Sequence, residues 1–166
     1  HADVSGKSDS RGAGDAGASE PLRTEDSKAA PGSQIRPQFS PQAFAANRER
    51  IRGLMTSLSA DVGADGVLLT RGDDLLAWVG RFNDEEAHAL ARVVIQGWES
   101  SAEVARILGQ EQLRFEQSIA GGNYLLYAVS VVDAILAVPV QGAALLGLLR
   151  QSVRRIAKQI ATLCLE

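Results

Sequence analysis

The apolar residues between Asn83 and Gly109 recur at helical spacing and cover an unusually wide arc. One apolar stripe comprises Ala87, Leu90, Ala91, Val94, Trp98, Ala102, Ala105 and Leu108. A neighbouring stripe comprises Val93, Gly97, Val104 and Ile107, and the strip left for water comprises His88, Arg92, Gln96, Glu99, Glu103 and Arg106. A helix on one core needs an apolar arc of about 100°, and this one carries roughly twice that. We therefore predict a helix over 83–109 that packs on its own sheet and on a second copy of the chain.

The residues before this helix change from a helical period to a strand period. Ser40 followed by Pro41 predicts the start of a first helix, which Gly63 is expected to end. Two short apolar runs, Gly66–Thr70 and Leu75–Gly80, then flank a turn rich in Gly and Asp. This pattern predicts a β-hairpin. Because both faces of its strands are apolar, we expect the sheet to be covered on both sides.

Three further strands and a last helix are predicted after the long helix. Residues Glu111–Ile119 alternate between apolar and polar, which is typical of an edge strand, whereas Tyr124–Ser130 and Ala134–Val138 are apolar on both faces. Pro139 is expected to end the last strand, and Gly142–Leu163 to form an amphipathic helix. The basic face of that helix comprises Arg150, Arg154, Arg155 and Lys158. This face is either solvated and matched to the helix dipole or a docking patch for an acidic partner.

The element order therefore predicts an α+β fold. A five-stranded, mainly antiparallel sheet is flanked by helices on both faces, in the order α-β-β-α-β-β-β-α. This domain is expected to span residues 40–166. Residues 1–39 hold too few large apolar side chains to build a core, so we predict a disordered N-terminal tail.

Composition and motifs give no indication of an enzyme. No glycine-rich phosphate-binding loop occurs in the predicted domain. That domain contains one histidine, His88, and one cysteine, Cys164, too few for a zinc cluster or a catalytic triad. We expect His88 at the surface and Cys164 as a small buried apolar residue. We predict no catalytic residue, no cofactor and no metal.

Charge and hydropathy exclude two further classes of protein. Charged residues make up 22% of the 166 residues and the net charge is -3, so no basic surface for nucleic acid is indicated. No apolar stretch approaches the roughly 18 residues that read as a membrane span, and residues 1–30 lack the apolar run of a secretory signal. We therefore expect a cytoplasmic protein without a membrane span.

Several strings in the predicted domain resemble the Roadblock family of dynein light chains, also called the Roadblock/longin-type domain. Those strings are Ala64–Thr70 with the turn Arg71–Asp74, the helix end Ile107–Gly109, the strands Asn123–Val129 and Asp133–Val138, and the Arg-rich last helix. The resemblance covers roughly residues 44–163. It implies a Roadblock/profilin-like arrangement of the predicted elements.

The resemblance also implies a homodimer or a heterodimer built on the long helix and the edge strand after it. The interface would hold Val93, Gly97, Val104 and Ile107 of the helix with Arg114 and Glu116 of the strand. Family members are platforms for Ras-like small GTPases, for dynein or for scaffold complexes, and bacterial members can stimulate GTP hydrolysis by a partner GTPase. We expect such a partner on the polar strip formed by His88, Arg92, Gln96, Glu99 and Glu103. The family offers no catalytic motif, so no arginine is assigned as a finger.

A small-ligand sensory domain is the alternative function, because sheets flanked by helices also build pockets. Such a domain needs a cavity with a few convergent polar groups. The core strands offer Thr70, Tyr124 and Tyr127 and little else. The interaction module is therefore the preferred interpretation.

Overall fold

The computed structural model describes residues 38–141 and 146–165, apart from the side chain of Ala120. The predicted tail thus lies outside the described residues except for its last two positions. Phe39 is buried, and its ring centroid lies 5.9 Å from that of Phe44. The next residue, Ser40, donates its backbone N–H to the carbonyl of Cys164 at 2.8 Å. The ordered domain therefore already includes Phe39, one residue before the predicted boundary.

The predicted α+β class and five-stranded sheet are confirmed. The helices are α1 (Pro41–Ala46), α2 (Arg48–Val62), α3 (Asp84–Ile107) and α4 (Leu146–Cys164). The strands are β1 (Gly66–Arg71), β2 (Asp74–Gly80), β3 (Arg114–Ile119), β4 (Tyr124–Val131) and β5 (Ala134–Gln141). The start predicted for the last helix, 142–145, lies outside the described residues.

The predicted first helix is divided at Asn47 into α1 and α2. Its N-cap is as expected, because the Ser40 hydroxyl accepts the N–H of Ala43 at 3.0 Å. Asn47 has non-helical dihedral angles, φ -109° and ψ 15°. Its side-chain amide donates to the carbonyl of Ala43 and to that of Leu163, each at 3.0 Å. Because this side chain links α1 to the end of α4, the backbone turns there instead of continuing one helix.

The strand order is β2-β1-β5-β4-β3, and all neighbouring strands run antiparallel. The sequence pattern predicted that Pro139 would end the last strand. Instead, Pro139 lies within β5 and pairs with Leu126 of β4. The β1–β5 ladder has already ended at the pair of Leu68 with Ala137. The carbonyl of Pro139 accepts the backbone N–H of Asp65, on the β1 side, at 3.2 Å. Because the N and C=O groups of one residue in an antiparallel strand point to the same side, the proline nitrogen also faces β1. A proline is tolerated there because no ladder bond needs its missing N–H.

Two cores of unequal size lie on the two faces of the sheet. The larger core joins α1, α2 and α4 to one face through side chains such as Val67, Leu136 and Ile160. The smaller core joins α3 to the other face and contains Val94, Phe115, Leu126, Ala128 and Ala137. Among the described residues, α3 is the one helix that covers this side of the sheet, and both of its flanks carry exposed side chains.

Candidate functional site

The flank of α3 next to β3 exposes large apolar side chains. The exposed fractions are 51% for Val93, 56% for Val104, 69% for Ile107 and 68% for Leu108. We call these four residues the apolar patch. Leu108 shares a predicted apolar stripe with the buried residues Ala87 and Val94, but it caps the end of α3 and lies outside the core. A shallow cleft of about 530 Å³ between α3 and β3 continues the patch toward Gln117.

Gly97 has a structural role in the packing of α3 on β3. A Cβ atom at this position would lie 3.1 Å from Cζ of Phe115, which passes beneath the helix. The Phe115 ring also contacts Trp98 edge to face, with centroids 5.9 Å apart. The glycine thus lets α3 approach β3 closely, while the apolar surface beside it comes from Val93 and Val104.

The outer edge of β3 is available for pairing with another strand. Ser130 donates its N–H to the carbonyl of Leu113 at 3.1 Å, so the odd-numbered residues of β3 are bonded to β4. The backbone groups of Arg114, Glu116 and Ser118 consequently point away from the sheet. Among the described residues, no other strand pairs with this edge.

The Glu116 side chain is engaged within its own chain. Arg150 of α4 donates to both carboxylate oxygens, with distances of 2.7 and 2.9 Å. The Arg114 guanidinium lies 3.5 Å from the same carboxylate. The hydrogen bond from Arg150, together with the charges of both arginines, lowers the pKa of Glu116, against a smaller opposing effect of burial. Backbone groups, more than the side chain of Glu116, are therefore free to meet a second subunit.

The opposite edge of the sheet, β2, is covered by α2. Arg48 donates to the carbonyl of Leu76 at 3.2 Å, and Arg52 donates to the carbonyl of Trp78 at 3.1 Å. The β1–β2 register also shifts between Leu69 and Thr70, which marks a bulge. Occupied carbonyls and a bulge hinder the addition of another strand. The sequence pattern gave no sign of this role of the two arginines, because only the packing of α2 shows which carbonyls they reach.

The polar strip forms a groove on the other flank of α3. His88, Arg92, Gln96 and Glu99 line a cleft of about 380 Å³ together with Asp73 and Leu75 of the β1–β2 hairpin. We call this cleft the polar groove. The structure therefore brings together most of the residues expected to contact a partner, and adds the two hairpin residues that periodicity could not place.

Two members of the strip have local partners. The ring Nδ1 of His88 lies 2.8 Å from the backbone carbonyl of Asp84, one turn earlier, and the side chain is exposed as expected. Glu103 does not line the polar groove, and its carboxylate forms an ion pair with Arg106. The strip is thus a continuous surface only as far as Glu99.

The polar groups considered for a small-ligand pocket do not converge. Thr70 faces α3, because its neighbour Leu69 belongs to the core on the α4 side. Tyr127 lies in that α4-side core, where burial raises the pKa of its hydroxyl. Tyr124 pairs with Gln141 at the opposite end of the sheet from Thr70. These three side chains therefore give no shared binding site.

The thiol of Cys164 is fully buried at the end of α4, as predicted. Burial raises its pKa to about 11, which disfavours the reactive thiolate. Within the described ranges, no group of three or more His, Cys, Asp or Glu side chains is placed to hold a metal ion. Of the helices described, none is both long and apolar enough to cross a bilayer.

Comparison with known proteins identifies the fold. No family model matches the sequence, and no match was found among curated proteins. The gliding protein MglB from Thermus thermophilus superposes with a TM-score of 0.64 at 21% identity, over 78% of this chain and 98% of that one. A structure described as MglB with a tetrameric arrangement gives 0.64 and 21%, over 78% of this chain and 97% of that one. The Roadblock/LC7 domain from Streptomyces avermitilis gives 0.57 at 17% identity, over 66% and 93%.

These matches show that the chain has the Roadblock/LC7 fold. The resemblance drawn from the sequence is thereby confirmed at the level of the fold, and the similar structures include bacterial MglB.

Proposed function

We propose that this chain is a non-catalytic interaction module that forms a homodimer and regulates a Ras-like small GTPase in the cytoplasm. The observation that carries the proposal is the difference between the two flanks of α3. One flank joins the apolar patch to the open edge of β3, and the other forms the polar groove. The first suits a second subunit, and the second suits a partner that binds and leaves.

The dimer would form through α3 and β3. Contiguous exposed apolar side chains on a protein surface mark an interaction site, and the unpaired groups of β3 are a template for a strand of another chain. Pairing two copies through β3 would extend the sheet across both subunits and place Val93, Val104 and Ile107 against their copies. A related Roadblock-type chain is the other candidate for the second subunit. The tetrameric arrangement described for MglB supports self-association as a property of this fold.

Two variants test the helix and the strand separately. Replacing Val93, Val104 and Ile107 by Ser removes the apolar contact while leaving the monomer core intact, since all three are exposed. Ser118→Pro removes an outward N–H of β3 without breaking a bond to β4. We expect both variants to be folded monomers by light scattering coupled to size exclusion. Ser118→Thr is the control and should remain dimeric.

The outcomes identify the interface. A triple variant that stays dimeric rules out the helix contact and with it the proposed interface. If only the triple variant is monomeric, the helices pair without joining the sheets. A wild-type chain that is monomeric at all concentrations overturns the dimer.

The GTPase partner would bind at the polar groove. A surface on which a histidine, an arginine, an amide and carboxylates lie beside Leu75, Ala91 and Ile95 combines hydrogen-bonding groups with apolar area, as in many transient interfaces. The family resemblance implies a Ras-like GTPase as partner, and similarity to the gliding protein MglB supports a bacterial system of this kind. Regulation would act by positioning the GTPase's own catalytic residues.

The test uses the Ras-like GTPase encoded nearest to this gene. GTP hydrolysis is measured with the wild-type chain and with Arg92→Glu/Gln96→Glu. We expect the wild type to bind the GTPase and change its rate, and the groove variant to lose binding by about tenfold or more. Arg50→Glu/Gln42→Glu makes the same change on exposed residues of α2 and α1 and should behave as wild type. Binding without a change in rate shows recruitment alone, and equal binding by all three chains places the partner elsewhere.

A further inference from the structure

A third cleft lies on the face of the sheet opposite α3, where α4 passes over the ends of β3 and β4. Its volume is about 360 Å³, which is at the lower end of the range for binding pockets, about 300–1,000 Å³. We propose that this α4 cleft binds an acidic, amphipathic peptide segment of a partner protein. The inference does not depend on the GTPase proposal, because the cleft shares no residue with the polar groove.

The floor of the α4 cleft is apolar. Val129 and Val131 of β4 and Ala157 and Ala161 of α4 line it, and the two alanines leave room above the strands. Leu113 stands at the mouth with 61% of its surface exposed. An apolar side chain of a bound peptide would be removed from water here, which favours binding.

The rim of the α4 cleft is positively charged. Arg114, Arg154 and Lys158 line it, and no Asp or Glu does. In the described part of the chain, Arg154 and Lys158 have no carboxylate within 4.0 Å, whereas Arg150 and Arg155 on the same helix pair with Glu116 and Asp61. Carboxylates thus neutralise two of the four basic residues of α4, but not the two at the cleft. The helix dipole alone does not explain why these two charges lack an acidic partner. The free charges complement carboxylates.

The hairpin at the mouth retains an apolar side chain at a conformational cost. Val132 lines the cleft with a φ of 61°. A two-residue turn between antiparallel strands favours Asn or Gly where φ is positive, and a β-branched residue is an outlier there. A valine at this position adds apolar surface to the entrance, which the favoured turn residues would not supply.

A protein segment fits these features better than the other anionic partners. Single-stranded nucleic acid is typically bound by a basic groove with exposed aromatic rings for stacking, whereas Tyr127 is buried beneath this cleft. An anionic membrane favours apolar side chains that protrude from a basic face, but apart from Leu113 the apolar side chains of the strands and of α4 are recessed in the floor of this cleft. A peptide with apolar residues flanked by Glu or Asp fits both the floor and the rim.

Selection from a random dodecapeptide phage library tests the proposal on the full chain. Each round includes counter-selection against Arg154→Glu/Lys158→Glu, in which both changed residues are exposed. We expect enriched peptides to combine apolar residues with flanking carboxylates. An enriched peptide, synthesised with a fluorophore, should bind the cleft variant about tenfold more weakly than wild type by anisotropy. The control Arg50→Glu/Arg155→Glu carries the same charge change away from the rim and should lose less than about twofold.

Three results would overturn the proposal. Peptides without acidic residues, or no enrichment at all, would show that the charges do not select carboxylates. Equal weakening by the cleft variant and the control would show a general charge effect. Binding to vesicles of equal parts phosphatidylcholine and phosphatidylserine that is lost only in the cleft variant, with no peptide enriched, would assign the surface to a membrane.

Discussion

At the turn between β4 and β5, Val132 holds a backbone conformation that L-residues rarely adopt, with φ at 61°. Its strand neighbours Val131 and Ala134 are paired, so the turn has two residues and its geometry is imposed by the hairpin. Arg71 also fixes the second turn residue, Asp133, through two hydrogen bonds of 3.0 and 3.1 Å. The folded chain therefore cannot easily relax the backbone strain at Val132.

We expect Val132→Asn to stabilise the chain. Asparagine tolerates positive φ, and relief of the strain should raise the free energy of unfolding by about 0.5–1 kcal/mol after the loss of some apolar contact. Val132→Thr is the matched control, since it keeps the β-branch and the strain while adding a polar group. Urea unfolding at one fixed protein concentration measures both, and an equal change in the two variants would contradict the assignment.

Between elements, the pair Glu116–Arg150 connects β3 to α4 and is only partly exposed, with 22% and 39% of the two side chains accessible. The carboxyl has a pKa below its ordinary value of 4.5. Its contribution to folding is therefore fully present above that ordinary value and is lost as the pH falls through the lowered one. The connection between strand and helix should weaken in acid.

Glu116→Gln tests this connection. We expect the variant to lose about 1 kcal/mol of unfolding free energy at pH 7, an estimate discounted for solvent screening. The difference from wild type should shrink as the pH falls below 4.5 and through the lowered pKa, because the wild-type carboxyl then becomes protonated. Glu111→Gln, at an exposed position before β3, serves as control. A loss that is independent of pH would show that the ion pair is not its cause.

The element boundaries show which parts of the fold are encoded locally. The capping box of α3 is encoded locally, because Asn83 and Glu86 are three residues apart and form hydrogen bonds of 2.7 and 2.9 Å. Gly63, with φ at 64°, ends α2 as its residue type predicts. Asn47 and Pro139 were misjudged for a common reason. Their conformations depend on Leu163 and on the end of the β1–β5 ladder, which are distant in sequence.

The candidate surfaces also differ in how far the local sequence predicts them. Periodicity along one helix sufficed to place Val93 and Val104 on an exposed apolar flank and Arg92 on a polar one. It did not separate Glu103 from the groove, since its pairing with Arg106 is one of several helical options. The covering of β2 by Arg48, 28 residues before Leu76, requires the tertiary structure.

For the whole molecule, the two ends of the sheet have opposite properties. At β2, arginines of α2 occupy outward carbonyls, and at β3 the outward groups are unpaired among the described residues. Natural proteins protect sheet edges against uncontrolled pairing. We infer that one edge is kept for association and the other is closed to it.

Removing the cover should change the assembly. We expect Arg48→Ala/Arg52→Ala to form species larger than the wild-type assembly, in amounts that rise with protein concentration, because the Leu76 and Trp78 carbonyls become accessible. Static light scattering over a concentration series measures this. Arg50→Ala/Arg155→Ala removes the same charge elsewhere and should resemble wild type. An unchanged size distribution in the first variant would show that the bulge alone protects β2.

Because the β2 edge is closed to strand pairing, we expect complexes of more than two chains to dissociate in a fixed order. If strand pairing is exhausted once two chains have joined through β3, every additional chain must attach through helix surfaces, which share no backbone hydrogen bonds. Such outer contacts should separate first on dilution, and the far-ultraviolet circular dichroism signal should stay constant while they do. The two-chain unit would then persist as the smallest species with a continuous sheet.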